Sequence, residues 1–456
     1  MKASDPGLRN LKWLLWLYFF LLIFEGALRK WVVPQLSAPL LIVRDPVVIL
    51  IYMLAMSRGI FPKNPLVQWV FVLAVLSFFA SLTGIGTLTV TLFGLRANFL
   101  HLPLIFLIPK IFDAEDVKKI GFCLLLLSGP TTLLVLRQFR SSPDAWINAA
   151  AGGELGGQMY AASGKIRPAG LFSFVTGMVS YISVVAAYLS WHFLDGKIYR
   201  RLLIIVAVPS LVLSVAVSGS RSAVAAIVIV LIAVVIICLF RGKAGAAGLK
   251  YGLILCAICA GMNLLPVFRE GIEVQEGRFE AGGGVHEGIV DRFFGELVDA
   301  LVACPDAPLA GLGLGLGTNA GAGMVSGERG FLISEGEWSR VIMESGPVLG
   351  IGYIVLRFAM LYRIWIVCTE SFRKGNSLPF LLLSAMGLDL VTGQFGQPTE
   401  LGFVVFTCGL CLVPMEGHAL PPDENTPPSE AQLESEKKIR GRSRYAEILH
   451  SEKSKG

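Results

Sequence analysis

The sequence predicts an all-α, polytopic transmembrane helix bundle of about twelve spans, with one large extracytoplasmic loop of short helices. Three observations carry this. Hydrophobic residues make up 54% of the 456-residue chain and charged ones only 16%, with a mean hydropathy of +0.67; one soluble core of this size could not hide so much apolar surface. Uncharged stretches recur, each near the length a helix needs to cross a bilayer. Connections rich in Lys and Arg alternate with connections poorer in Lys, as a multi-pass orientation requires.

The first stretch, 11–27, runs into Glu25, Arg29 and Lys30 and not into a small-residue cleavage site, so it reads as a span. Next come 39–57, 65–82, 87–109 and 119–138, with Arg58/Lys63 and Lys110/Lys118/Lys119 between them. The middle group is 169–194, 201–218, 221–240 and 251–266, with Lys197/Arg200/Arg201 and Arg241/Lys243/Lys250. The last is 347–368, 377–393 and 399–415, with Arg373/Lys374. With these basic connections inside, together with Lys2, Arg9 and Lys12, both termini are cytoplasmic, and the connections 139–168 and 267–346 lie outside. Residues 1–415 form the membrane domain. The segment 416–456, rich in Pro, Glu, Ser and Lys, is expected to be a disordered cytoplasmic tail.

The net charge of +6 is spread over short loops, without a basic stripe interleaved with aromatics, so the partners are membrane lipids and not nucleic acid. The pairs Cys256/Cys259 and Cys408/Cys411 have zinc-like spacing but fall inside apolar stretches, where cysteine packs as a small hydrophobe. No metal and no cofactor are expected.

Arg221 stands between two uncharged runs, 202–217 and 223–240, in the hairpin Ser218-Gly219-Ser220-Arg221-Ser222. It therefore sits at the outer surface, and with Ser220 and Ser222 can grip a phosphate. Other charges fall within apolar stretches: Arg44, Asp45, Arg96, His101, Arg357, Arg363 and Asp389. Such charges are costly unless they face a cavity or a partner. Most belong to outer halves, which suggests a hydrated cavity open to the outside or to the outer leaflet. Structural pairs, Arg357 with Asp389 or Arg44 with its neighbour, are the alternative, and Asp45 before Pro46 could cap a helix.

In the large outer loop the alternation Gly311-Leu-Gly-Leu-Gly-Leu-Gly317 is neither a dinucleotide fingerprint nor a Walker loop. It suits a close backbone approach to a bulky substrate, a flexible lid or a tight connection. Glu337, Arg340 and Glu344 share one helix face, and Ser334 with Glu337 matches a capping box. His286, in GGGVHEG, is the one histidine of the outer loops.

The SGSRSA hairpin, the E-x-G ending of the outer loop at Glu344-Ser-Gly346 and the segment Gly94-Leu-Arg96-Ala-Asn-Phe-Leu-His-Leu-Pro103 resemble the bacterial O-antigen ligase and polymerase superfamily, in particular its exopolysaccharide-associated members. The similarity spans most of residues 10–415. It implies transfer of a glycan from undecaprenyl diphosphate to a glycan or lipid acceptor, at the outer face of the inner membrane. Arginines hold the diphosphate in that family; the matching position is Arg221, with Arg96 second and Arg340 a further substrate contact. The family's ligases carry a His-Asn pair that falls here at Glu335-Gly336, so the histidine is absent and the resemblance leans toward a polymerase-like or uncharacterised member. The acceptor hydroxyl would lose its proton to Glu337 or Glu335, with His286 the third choice. The transfer would be metal-independent, driven by cations beside the leaving diphosphate. A transporter or flippase of a lipid-linked sugar or anion would use the same arginines without an outer base.

Overall fold

The structure is a computed structural model and describes residues 6–196, 198–241, 260–280, 284–327, 332–334 and 336–415, with the side chains of Pro6 and 284–294 left aside. Among these residues there is no strand; a single antiparallel bridge joins Tyr160 to Ile166. Glu335, the tail 416–456 and most of the stretch 251–266 lie outside the described residues, as does the side chain of His286.

The membrane helices in the first half are α1 (Pro6–Ala27), α2 (Ser37–Leu41), α3 (Arg44–Ser57), α4 (Pro65–Ser81), α5 (Leu88–Leu95), α6 (Leu104–Ile111) and α7 (Ala114–Arg140). Their starts reflect local chemistry. Asn64 accepts the Val67 N–H at 2.8 Å ahead of Pro65, and Asp113 and Asp116 form a reciprocal capping box for α7. Between α5 and α6 a π-helical turn, Arg96–Leu100, precedes a 47° bend. The next helices are α8 (Val175–Leu194), α9 (Arg201–Ala216) and α10 (Arg221–Phe240). The long connection after α10 contributes α11 (Pro266–Glu280), α12 (Gly284–Asp306) and α13 (Asn319–Ser326). The chain ends in α14 (Glu337–Arg373), α15 (Leu378–Thr392) and α16 (Pro398–Cys411).

Among the described residues six helical stretches are long and apolar enough to cross a bilayer, and the bent pair α5–α6 passes the same test as one broken span. The chain is accordingly a multi-pass membrane protein. The helix α8 is central, 78% buried over its apolar window and in contact with α7, α9, α10, α15 and α16. At the other extreme α10 is only 28% buried, with Leu231, Ile232, Val235 and Leu239 exposed as lipid-facing residues would be. Cys408 and Cys411 are buried in the core on α16.

The glycine alternation is a packing device. Leu314 and Leu316 bury their side chains while Gly311, Gly313 and Gly315 take positive φ. A Cβ on Gly315 would collide with the Val90 carbonyl of α5, and one on Gly311 with the Glu344 carbonyl of α14. The ribbon is pinned from both sides: Ile85 N–H donates to Leu312 O, and Leu312 N–H donates to Met343 O. Of the three readings of this segment, the tight connection is the one observed.

Three expectations need correction. The helix after Ser334 begins at Glu337, and Ser334 bonds Ser339 and the Gly336 N–H, so no Ser334–Glu337 capping box forms. Asp45 caps nothing; α3 is preceded by Val43. Arg44 pairs with Glu25 at 3.1 Å and not with Asp45.

Candidate functional site

The segment α14 is two helices. At Gly346 (φ 80, ψ 164) the backbone leaves the helix, and a Cβ there would collide with the Leu309 carbonyl, so only glycine fits. The short arm Glu337–Ser345 folds back along the long arm. Glu337 thereby meets Arg357, about 15 Å along the long arm from Pro347 at 1.5 Å per residue.

A buried, electrically balanced cluster results. Glu337 Oε1 accepts from Arg357 Nη1 at 2.7 Å and Arg340 Nη2 at 2.9 Å, and its Oε2 accepts from Arg340 Nε at 3.0 Å. Arg340 Nη1 donates to Glu344 Oε2 at 2.8 Å, and Nη2 to Asn98 Oδ1 at 3.0 Å. Glu344 Oε1 accepts the Gly317 N–H at 2.8 Å, tying the glycine ribbon to the cluster. Arg357 fills its remaining donors with the carbonyls of Leu390 and Gly393 and stacks 3.8 Å from the Phe395 ring. Its side-chain partner is therefore Glu337; Asp389 offers it only a backbone carbonyl.

Beside the cluster lies a small open cleft lined by Gly317, Thr318, Asn319, Glu337, Arg340, Gln394, Gly396 and Gln397. Thr176 of α8 donates to Gln397 Oε1 at 2.7 Å, and Gln397 Nε2 donates to Gln394 Oε1 at 3.1 Å. Asn319 Oδ1 is buried with no hydrogen-bond partner, an acceptor available to a bound hydroxyl. The start of the short arm is held from α12: Glu296 accepts the Glu337 and Trp338 N–H groups at 3.2 and 3.1 Å. Burial raises the Glu296 carboxyl above its ordinary value, and those two N–H bonds only partly counter it.

The Arg221 hairpin is a second constellation, and Ser220, Arg221 and Ser222 do not line that cleft. Gly219 (φ 55) makes the turn and α10 starts at Arg221. Ser220, at the N-cap, uses its hydroxyl not for the helix but to accept Arg167 Nη2 at 3.2 Å. The helix α11 packs on the hairpin through Gln275, whose Nε2 donates to Ser218 Oγ at 3.0 Å. Arg278, a turn further on the same face, has a buried Nε with no acceptor. Cations thus gather at the N-terminus of a long helix, where the backbone dipole also favours an anion.

Arg96 belongs to a third group. Its Nε and Nη2 grip Asp45 at 2.6 and 3.1 Å, while Nη1 is buried without an acceptor. His101 Nε2 lies 3.0 Å from Asp45 and its Nδ1 3.0 Å from Tyr18, which Arg44 also reaches. A buried polar chain thus links α1, α3 and the π-helical turn.

Of the residues singled out from sequence, Glu337 and Arg340 share one cleft, Ser220 and Arg221 a separate hairpin, and Arg96 a third network. Arg167, Asn98, Gln394 and Gln397 escaped notice. Arg167 alone had a signal: with Lys165 it is basic on a connection where orientation asks for no positive charge. No protein-family model matches the chain, and no curated protein matches it.

Proposed function

We propose that the chain transfers or polymerises an undecaprenyl-diphosphate-linked glycan at the outer face of a bacterial inner membrane, spanning it about twelve times with both termini in the cytoplasm. The observation that carries the reading is the placing of Arg167 against Ser220 of the Arg221 hairpin, at the start of α10. A diphosphate needs such bidentate, always-charged donors, and a helix N-terminus adds to them. In this reading the two arginines stabilise the charge that grows on the leaving diphosphate as the C1–oxygen bond of the sugar breaks. The Asn319–Gln397 cleft, lined with amide and hydroxyl groups, suits a polyhydroxylated acceptor.

Both Glu337 oxygens already accept arginine donors. As the base it would have to release one of those bonds when the acceptor hydroxyl gives up its proton; otherwise it acts by holding Arg340 and Arg357 in position. The test is product formation from purified protein and lipid-linked oligosaccharide in vesicles. Arg221→Ala and Arg167→Ala should each lower turnover by roughly 10²–10³-fold, the scale of losing one donor to a developing oxyanion. Full turnover in both variants would sink the assignment.

The buried Tyr18–His101–Asp45–Arg96 chain favours a second reading, a transporter of a lipid-linked sugar or anion. Product made by purified protein with no gradient decides for the enzyme.

A further inference from the structure

We infer that α12, expected as part of an extracytoplasmic loop, sits within the outer leaflet with one face against lipid acyl chains. Two contacts fix its height against the long arm of α14. Just past its C-terminal end, the Leu309 carbonyl abuts Gly346, the turn between the two arms. Further back, Glu296 holds the first N–H groups of the short arm, and Glu337 there reaches Arg357 at 2.7 Å. Residues 296–306 therefore run beside 347–357 for about 15 Å, at 1.5 Å per residue, and do not lie above them. The seam between them is packed: Ala300 joins Trp338 and Ile342, with Cys304 and Ile354 against them.

The other side of α12 is apolar and open. Leu297, Val298, Leu301 and Val302 are 44, 55, 63 and 65% exposed. At 3.6 residues per turn they occupy one arc of about 140°, with exposed Asp299 and Asp306 at its edge. At the same height the long arm of α14 exposes Val348, Ile351 and Val355. That helix is long and apolar enough to cross a bilayer, and as a span it would turn these exposed valines and isoleucine to lipid. The α12 stripe continues this surface at the same depth, which favours lipid as its occupant over a soluble partner or a second copy. An apolar face with a polar edge lets a helix sit at the boundary of the acyl chains; because that edge is acidic here, the burial of apolar area carries the association without help from anionic headgroups.

The test uses the full chain in phosphatidylethanolamine–phosphatidylglycerol vesicles, with photoreactive benzoylphenylalanine replacing Leu301 or, as a second site, Val298. The same group at Val348 is the reference, and at Asp299 the contrast. After irradiation, Leu301 and Val298 should gain the mass of one phospholipid as readily as Val348, and Asp299 should not. Absence of lipid adduct at both stripe positions while Val348 labels overturns the inference. So does a cross-linked dimer in place of the lipid adduct. Neither outcome depends on any glycan-transferring activity.

Discussion

Glu337→Leu removes the centre of the buried cluster, and the contacts around it set the cost. Glu337 and Arg357 are both fully buried, and the cluster of Glu337, Glu344, Arg340 and Arg357 is neutral. Without Glu337, Arg340 keeps Glu344 and Asn98, but Arg357 retains only carbonyls and the Phe395 ring, with one uncompensated positive charge. Breaking a buried pair in this way costs about 3–5 kcal/mol. Arg357→Leu should cost less, because Glu337 would still be gripped twice by Arg340. The double variant restores neutrality around Arg340 and Glu344, so its cost should fall short of the sum by about 2–3 kcal/mol. The assay is reversible unfolding in mixed micelles, followed by tryptophan fluorescence and far-ultraviolet circular dichroism across the four proteins. Additive costs, or a Glu337→Leu cost below about 1 kcal/mol, would refute the view that this cluster is a closed electrostatic unit.

Two further expectations concern stability. Gly315→Ala should destabilise by more than ~1 kcal/mol, since the position has φ +88 and no room before the Val90 carbonyl. Gly323→Ala, in helical α13 with nothing within 4 Å, should gain about 0.5–1 kcal/mol in the same melts; equal effects would contradict the packing account of the ribbon. Glu296 supplies the pH dependence. Its carboxyl is raised, so the folded state holds the proton more tightly than the unfolded one. Its contribution is most favourable when protonated and declines as pH climbs from the ordinary 4.5 toward the raised value. The melting difference between wild type and Glu296→Gln should therefore shrink or change sign from acidic to neutral pH, and a growing advantage for the wild type would contradict it.

The all-helical, multi-pass character was legible because bilayer thickness imposes a length on apolar stretches, whereas helices such as Pro65–Ser81, Arg201–Ala216, Leu378–Thr392 and Pro398–Cys411 fall short of that length. Capping was legible where it is local, as at Asn64 and Asp113, and misleading at Ser334, because the true cap comes from Glu296 on another helix. Charge pairing was legible within one helix, where Arg340 meets Glu337 and Glu344, but not between helices. Arg357 has Asp389 within plausible reach on the next helix, yet Glu337 wins because Gly346 reverses the chain and delivers a carboxylate to the same depth. Sequence spacing reports neighbours along one helix, as with Glu337, Arg340 and Glu344, and is silent about a neighbour created by a fold-back. For the same reason Asn98 and Gln397 carried no signal, being ordinary polar residues until other elements converge on them.

The reversal at Gly346 also bears on the order in which the protein can be assembled. The short arm leaves the ribosome before the long one, carrying two carboxylates and one guanidinium, an excess of one negative charge. Only Arg357, twenty residues later in the chain than Glu337, cancels it. The arm therefore has no reason to leave water until the following span is in the bilayer. Insertion of that span comes first, and the short arm docks against it afterwards, drawn by the arginine that the span has carried into position.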